Sequence, residues 1–175
     1  IKFTTNYRCK DDILLQRLNN LRKYMKDTKF HNKKILQYVK DNFNDRIIDE
    51  KYLIDTYDYK KDWVLVSITN GEKSQTDYYS KLLKGKKYIC KSHSKDDVNK
   101  RINDIDAYLN GDIAYDIQPS KRFIQQDAFT IHGFQGKTIK NPERLFIDLK
   151  HIFCSRQLYT ALSRVECLNQ IYLIN

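Results

Sequence analysis

The residues best suited to chemistry lie in the last third of the chain. Thr130-Ile131-His132-Gly133-Phe134-Gln135-Gly136-Lys137-Thr138 gathers two hydroxyls, an imidazole, an amide and an ammonium around two glycines. It follows an apolar run, Phe129 to Ile131, that reads as a strand. A polar loop in that position can turn N–H groups and side chains toward phosphates, and glycine lets the backbone approach them closely. Gly136-Lys137-Thr138 spells the end of the phosphate-binding pattern G-x-x-x-x-G-K-[ST]. The first glycine of that pattern would fall at Ile131, however, so the loop is not expected to wrap a phosphate as a P-loop does. A purely structural turn is the plain alternative.

The second segment is Gln157-Leu158-Tyr159-Thr160-Ala161-Leu162-Ser163-Arg164-Val165. Leu158, Leu162 and Val165 recur at helical spacing and bury one stripe, so Arg164 beside them is held on a rigid support. A guanidinium placed this way can reach the γ-phosphate of a nucleotide on a neighbouring domain and stabilise transition-state charge. The plain alternative is a solvated helix arginine. Cys90-x-x-His93 and His151-x-x-Cys154 together offer four nitrogen and sulfur ligands, but neither pair has a knuckle glycine and no metal site is expected. The 13 tyrosines include Tyr57, Tyr59, Tyr78 and Tyr79, whose spacing does not collect them on one groove for base stacking.

The elements that would carry these residues alternate. Asp11 and Asp12 supply capping chemistry for a helix in which Leu14, Leu18, Leu21 and Met25 share a face. A second helical pattern runs through Ile35, Val39 and Phe43, and Asn44 to Lys61 has no assignable pattern. Trp63 to Thr69 reads as a buried strand closed by a turn at Asn70-Gly71, and Gln75 to Leu83 as a helix stopped at Gly85. Lys87 to Lys91 suggests a strand, and Lys95 to Leu109 a charged helix closed by Asn110-Gly111. Leu145 to Leu149 and Gln170 to Ile174 read as strands flanking a helix from Ser155 to Val165, with Ser155 as its cap. Such alternation predicts an α/β domain whose mostly parallel sheet is covered by helices on both faces. Ligands of such sheets meet the carboxyl ends of strands, where both segments lie.

A length of 175 residues suits one domain and is too short for two nucleotide-motor lobes. The chain begins at Ile1 rather than Met and is expected to be part of a longer polypeptide. A formal charge of +10 and a pI near 9.3 favour a polyanionic partner, with nucleic acid first. Abundant lysine beside Asn, Ile and Tyr, as in proteins of AT-rich genomes, explains the charge equally well. Four scattered cysteines argue against a disulfide framework and for a reducing compartment. No apolar run approaches the ~20 residues that span a bilayer. A soluble, intracellular protein is expected, with a nuclear or viral replication site as one option and the location otherwise open.

In order and in the elements that carry them, T-I-H-x-x-Q-G-x-T and Q-L-Y-T-A-L-S-R-V resemble motifs V and VI of superfamily 1 DNA helicases, most closely the RecD-like and PIF-like branch. Thr5-Asn6-Tyr7-Arg8 looks like motif IV. Residues 86–126 match no motif and are expected to be a family-variable insertion within a single 1–175 domain. The resemblance implies the second RecA-like domain of a motor, of the P-loop-NTPase fold type but lacking its own Walker A. It implies that Arg164 and Arg8 point at the γ-phosphate of ATP and that Gln135 and Gly136 line the same cleft. Thr130 and His132 would touch the backbone of single-stranded DNA, with Lys137 and Tyr159 as further DNA-side residues. ATP and Mg²⁺ would be held mainly by the N-terminal RecA-like lobe of the same polypeptide. The implied work is unwinding of forked DNA in replication or repair. Two other readings stay open: a non-enzymatic nucleic-acid-binding module derived from such a domain, and a self-contained P-loop enzyme built on Gly136-Lys137-Thr138.

Overall fold

The Asp11 carboxylate accepts hydrogen bonds from the N–H groups of Ile13 and Leu14, at 2.9 and 3.2 Å, and so opens helix α1, Asp12–Asp27. Leu14, Leu18, Leu21 and Met25 are its buried stripe, as their spacing predicts. A computed structural model describes residues 9–67, 75–103, 107–150, 152 and 154–175. Helix α2, Asn32–Asn42, buries Ile35 and Val39. The stretch without an assignable pattern becomes a 3₁₀ turn at Asn44–Arg46, a two-residue strand β1 (Ile47–Ile48) and a short helix α3 (Glu50–Thr56). Asp49 caps α3 by accepting from the Tyr52 N–H at 2.7 Å. Elements this short leave no periodic trace.

Strand β2 (Asp62–Val66) and helix α4 (Gln75–Leu83) follow, and the turn expected at Asn70-Gly71 lies outside the described residues. Next come β3 (Lys87–Cys90), helix α5 (Lys95–Ile102), β4 (Ile113–Tyr115), β5 (Phe123–Gln125) and β6 (Ala128–Thr130). The chain closes with β7 (Arg144–Asp148), helix α6 (Ser155–Leu162) and β8 (Ile171–Ile174). Five strands form one parallel sheet in the order β1-β8-β7-β2-β6. All five residues of β2, an inner strand, are buried. Trp63 and Leu65 join α1, α2 and α6 on one face, while Val64 and Val66 join Leu53 of α3 and Tyr79 of α4 on the other. Helices on both faces explain why the inner strands read as continuous apolar runs.

Three findings differ from the sequence reading. Strand β3 does not join the parallel sheet but lies between β4 and β5 in a separate antiparallel one. Helix α5 ends at Ile102, well short of Leu109; it buries no residue, so no tertiary packing extends it beyond its capping box at Ser94 and Asp97. Helix α6 is preceded by Cys154, which supplies no side-chain cap, and Ser155 is instead its first residue, with its N–H donating to Asn32 Oδ1 at 2.9 Å. The helix stops at Leu162, and Val165 pairs in an isolated parallel bridge with Ile139.

Candidate functional site

Pairing with β2 carries β6 to the carboxyl edge of the sheet, and the Ile131 N–H continues that pairing to Val66 O at 2.9 Å. There the chain turns. Phe134 is buried and anchors the loop, its ring centroid 5.0 Å from that of Trp63. His132, Gln135, Gly136 and Lys137 remain exposed around this plug. The half-buried Thr130 accepts from the Gly133 N–H at 3.0 Å, which leaves its hydroxyl hydrogen to point elsewhere. A Cβ on Gly133 would stand 2.9 Å from the Thr130 hydroxyl oxygen, so the tight turn demands glycine. Gly136 has φ +86, the left-handed region that glycine enters at no steric cost. Lys137 lies with its ammonium 5.7 Å from the Phe134 ring; partial burial pushes its pKa down, and Asp112 opposes that shift.

No helix follows Thr138, which runs on to the Ile139 bridge. The loop therefore lacks the helix N-terminus that completes a P-loop.

Arg164 stands one residue beyond the C-cap of α6 and is half-buried. Its guanidinium donates to Lys137 O at 3.4 Å, and its own carbonyl accepts from the Ile139 N–H at 2.8 Å. Gln170, which no motif singled out, ties these segments together. Its side-chain amide donates to Ile139 O and Glu143 O, at 3.3 and 2.9 Å, and accepts from the N–H groups of Glu166 and Cys167. A buried amide with all these partners fixes the turn after Arg164 against the end of the loop. Lys10 also reaches this turn, through its N–H to Glu166 O and an ion pair with Glu166, both at 2.8 Å. Arg8 and its motif IV neighbours lie outside the described residues.

Thr130, His132, Gln135, Gly136 and Lys137 thus share one loop, and Arg164 meets that loop at its far end, Lys137. This contact lies beside the Ile139–Val165 bridge that precedes the starts of β7 and β8, and so not at the carboxyl ends where Arg164 was expected. Tyr159 is elsewhere, half-buried on α6 beside a cavity shared with α1. Sequence reasoning also passed over the carboxyl ends of the inner strands. Ser67 donates to Gln157 Oε1 at 2.8 Å, and buried Asp148 accepts from Gln75 Nε2 at 3.5 Å. An acid closing the apolar run Leu145-Phe146-Ile147 was the available signal.

Cys90 and His93, one of the two pairs weighed as metal ligands, find other partners, and His151 of the second pair lies outside the described residues. Cys90 donates its S–H to Ser92 O at 3.0 Å, and His93 Nδ1 accepts from the Asn110 N–H, also at 3.0 Å. Among the described residues no group of three or more His, Cys, Asp or Glu side chains could hold a metal ion. Nor is any described helix long and apolar enough to cross a membrane.

No protein-family model matches the chain. No curated protein matches it either. Solved structures do: Bacteroides Pif1 bound to single-stranded DNA superposes with a TM-score of 0.65 at 15% identity, over 99% of this chain and 51% of that one. The fold is that of a Pif1 helicase's RecA-like domain. Bacteroides Pif1 with ADP-AlF3 and single-stranded DNA gives 0.58 at 16% identity, over 99% of this chain and 51% of that one. Candida albicans Pif1 gives 0.60 at 14%, over 98% and 55%. The chain spans about half the length of these Pif1 helicases.

Proposed function

We propose that this chain is the second motor domain of an ATP-dependent DNA helicase, supplying an arginine finger and single-strand contacts for translocation and unwinding. One observation carries the reading: the Arg164 guanidinium is hydrogen-bonded to the main chain of the same loop that begins with Thr130 at the carboxyl end of β6. A cation suited to a γ-phosphate and a hydroxyl suited to a DNA phosphate are thereby linked by one loop. Arg164 and Arg8 would face the triphosphate, and Gln135 and Gly136 would line the cleft. Thr130, His132 and Lys137 would meet single-stranded or forked DNA, and Tyr159, away from that loop beside the α1–α6 cavity, would not share this contact. The solved Pif1 structures, with single-stranded DNA and with ADP-AlF3 and single-stranded DNA, support both ligand classes.

The chain's own residues fit the role of completing a nucleotide site rather than forming one, because Gly136-Lys137-Thr138 leads into no helix. ATP and Mg²⁺ would be held by an N-terminal RecA-like lobe, where the metal would neutralise phosphate charge. Closure of that lobe would bring Arg164 to the nucleotide.

In the full-length protein, Arg164→Ala is expected to lower DNA-stimulated ATP turnover by ~10³-fold or more, the range for an arginine finger, while sparing most DNA binding. Unchanged turnover removes Arg164 from the mechanism. Residues 1–175 alone should show negligible ATPase. The absence of a P-loop from this chain also suits a second reading, a non-enzymatic nucleic-acid-binding module, which would show DNA binding with no turnover in the full-length protein.

A further inference from the structure

Two of the described arginines behave unlike the others. Arg17, Arg101, Arg122 and Arg144 are each paired with a carboxylate, Arg46 donates to two carbonyls, and Arg164 donates to Lys137 O. Arg22 and Arg156 make neither an ion pair nor a side-chain hydrogen bond among the described residues. Both are exposed, and both line the same cavity of about 290 Å³ between the carboxyl-terminal part of α1 and the start of α6. Lys26, one turn from Arg22, makes a third cation on its wall, and none of the three is ion-paired among the described residues. Leaving three cations uncompensated around one concavity makes it a site for negative charge.

The apolar side of the cavity is also built. Met25 is a buried lining residue, and Tyr159, half-buried, lines it from α6. Phe30 is 38% exposed at the rim, with the Arg156 guanidinium carbon 4.7 Å from its ring centroid. A particular helix ending puts it there. The Lys29 N–H donates to Lys26 O and the Phe30 N–H to Met25 O, the two bonds of a Schellman motif. Glycine is usual where that motif turns left-handed, yet here Lys29 has φ 49 and Phe30 φ 61. Positive φ in a bulky residue is costly, and such strain gathers at sites that use the side chain it displays.

We propose that this cavity is a second nucleic-acid site, holding one nucleotide of a single strand apart from the Thr130–Lys137 loop. The phosphate sits among Arg22, Lys26 and Arg156, and the base stacks on the Phe30–Arg156 pair, as aromatic and guanidinium faces accept any base. At about 290 Å³ the cavity lies at the small end of ligand pockets, which suits one nucleotide and not a folded partner. DNA and RNA share the recognised chemistry. The site is independent of the ATP cleft, so it stands even if Arg164 proves inert.

The test uses the full-length protein with fluorescein-labelled dT15 and rU15, read by anisotropy across a salt series. Arg22→Glu with Arg156→Glu is expected to weaken binding at least tenfold and to reduce the slope of log affinity against log salt by about 0.7, the single-strand value for one phosphate contact. Lys51→Glu with Lys81→Glu makes the same charge change on α3 and α4, at exposed lysines across the sheet, and should weaken binding less than threefold. Comparison of the two probes assigns the sugar preferred. A separate variant, Phe30→Trp, should lose indole fluorescence when dT15 is added, and oligoglutamate of equal charge should not reproduce the quench. Equal weakening by both double variants reduces the effect to bulk charge and overturns the proposal. So does an indole that ignores dT15, as it would if another domain covered the cavity, or one that answers oligoglutamate equally, as an acidic-peptide site would.

Discussion

In the five-stranded sheet, β7 buries Leu145, Phe146 and Ile147 completely, whereas in the three-stranded sheet β5 leaves Ile124 49% exposed and the neighbouring α5 buries nothing. Polar contacts hold the smaller unit instead. Arg101 pairs with Asp112, Arg122 pairs with Asp97 and donates to Tyr108 O, and Lys91 donates to Gln126. Its junction with the larger sheet sets a buried cation beside Ile89 and Ile113, which are only partly buried against the main core. The fully buried Lys87 ammonium donates to Asp62 O at 2.5 Å and lies 4.0 Å from the Trp63 ring. Apolar burial scales with area and gives a sheet that tolerates little change; surface ion pairs are screened and contribute little each. The parallel sheet is therefore the scaffold that fixes the loop and Arg164, and the antiparallel unit is the softer appendage.

The largest expected effect probes that scaffold. Leu145→Ala removes a side chain with no exposed surface and should cost about 4 kcal/mol in urea unfolding, within the range for buried leucine truncation. A loss below about 1 kcal/mol would place the core elsewhere.

The junction comes next. Burial pushes the Lys87 pKa down to about 8. Below pH 8 both folded and unfolded chains hold this proton, and folding must bury the charge. Between pH 8 and the ordinary lysine value near ~10.4, the unfolded chain binds a proton that the folded one has released, so stability rises with pH, by an amount on the order of 3 kcal/mol. Lys87→Met should flatten that rise and raise stability below pH 8. A parallel rise in the variant would assign it to other groups.

The smallest effect is expected within the appendage. Arg101→Ala removes an exposed ion pair with Asp112 and should cost about 0.5 kcal/mol or less. Amide exchange should show β3 to β5 opening more readily than β7, with or without the substitution. Equal protection in the two sheets would erase the distinction drawn here.

Legibility followed the same division. Helices α1 and α2 and strands β2, β7 and β8 announced themselves because each buries a periodic or continuous apolar set, from Leu14 and Leu18 to Ile171 and Leu173. Strand β4, three residues long with only Ala114 buried, had no comparable pattern. The cap of α6 was misread because Ser155 is a good capping residue by type, but its N–H is met from α2 by Asn32. Within the candidate site, the loop and Arg164 stood out through their own residue types. What joins them did not, since Gln170 and the Ile139–Val165 pairing act across 26 residues and more. The α1–α6 cavity was equally hidden: Arg22 and Arg156 are far apart in sequence, and no glycine marks the turn that displays Phe30. The four tyrosines doubted as base platforms have structural work. Tyr57, Tyr59 and Tyr78 donate to Asp127, Asp116 and Glu50, and Tyr79 is buried.

Gln170 has a mechanical consequence. To slide the end of the loop past the turn after Arg164, the chain must break shielded amide bonds on both sides of this one side chain, each costing ~1–3 kcal/mol if left unmet. The two segments therefore travel as a single lever. Trimming that side chain is expected to loosen this junction, even with every motif residue intact.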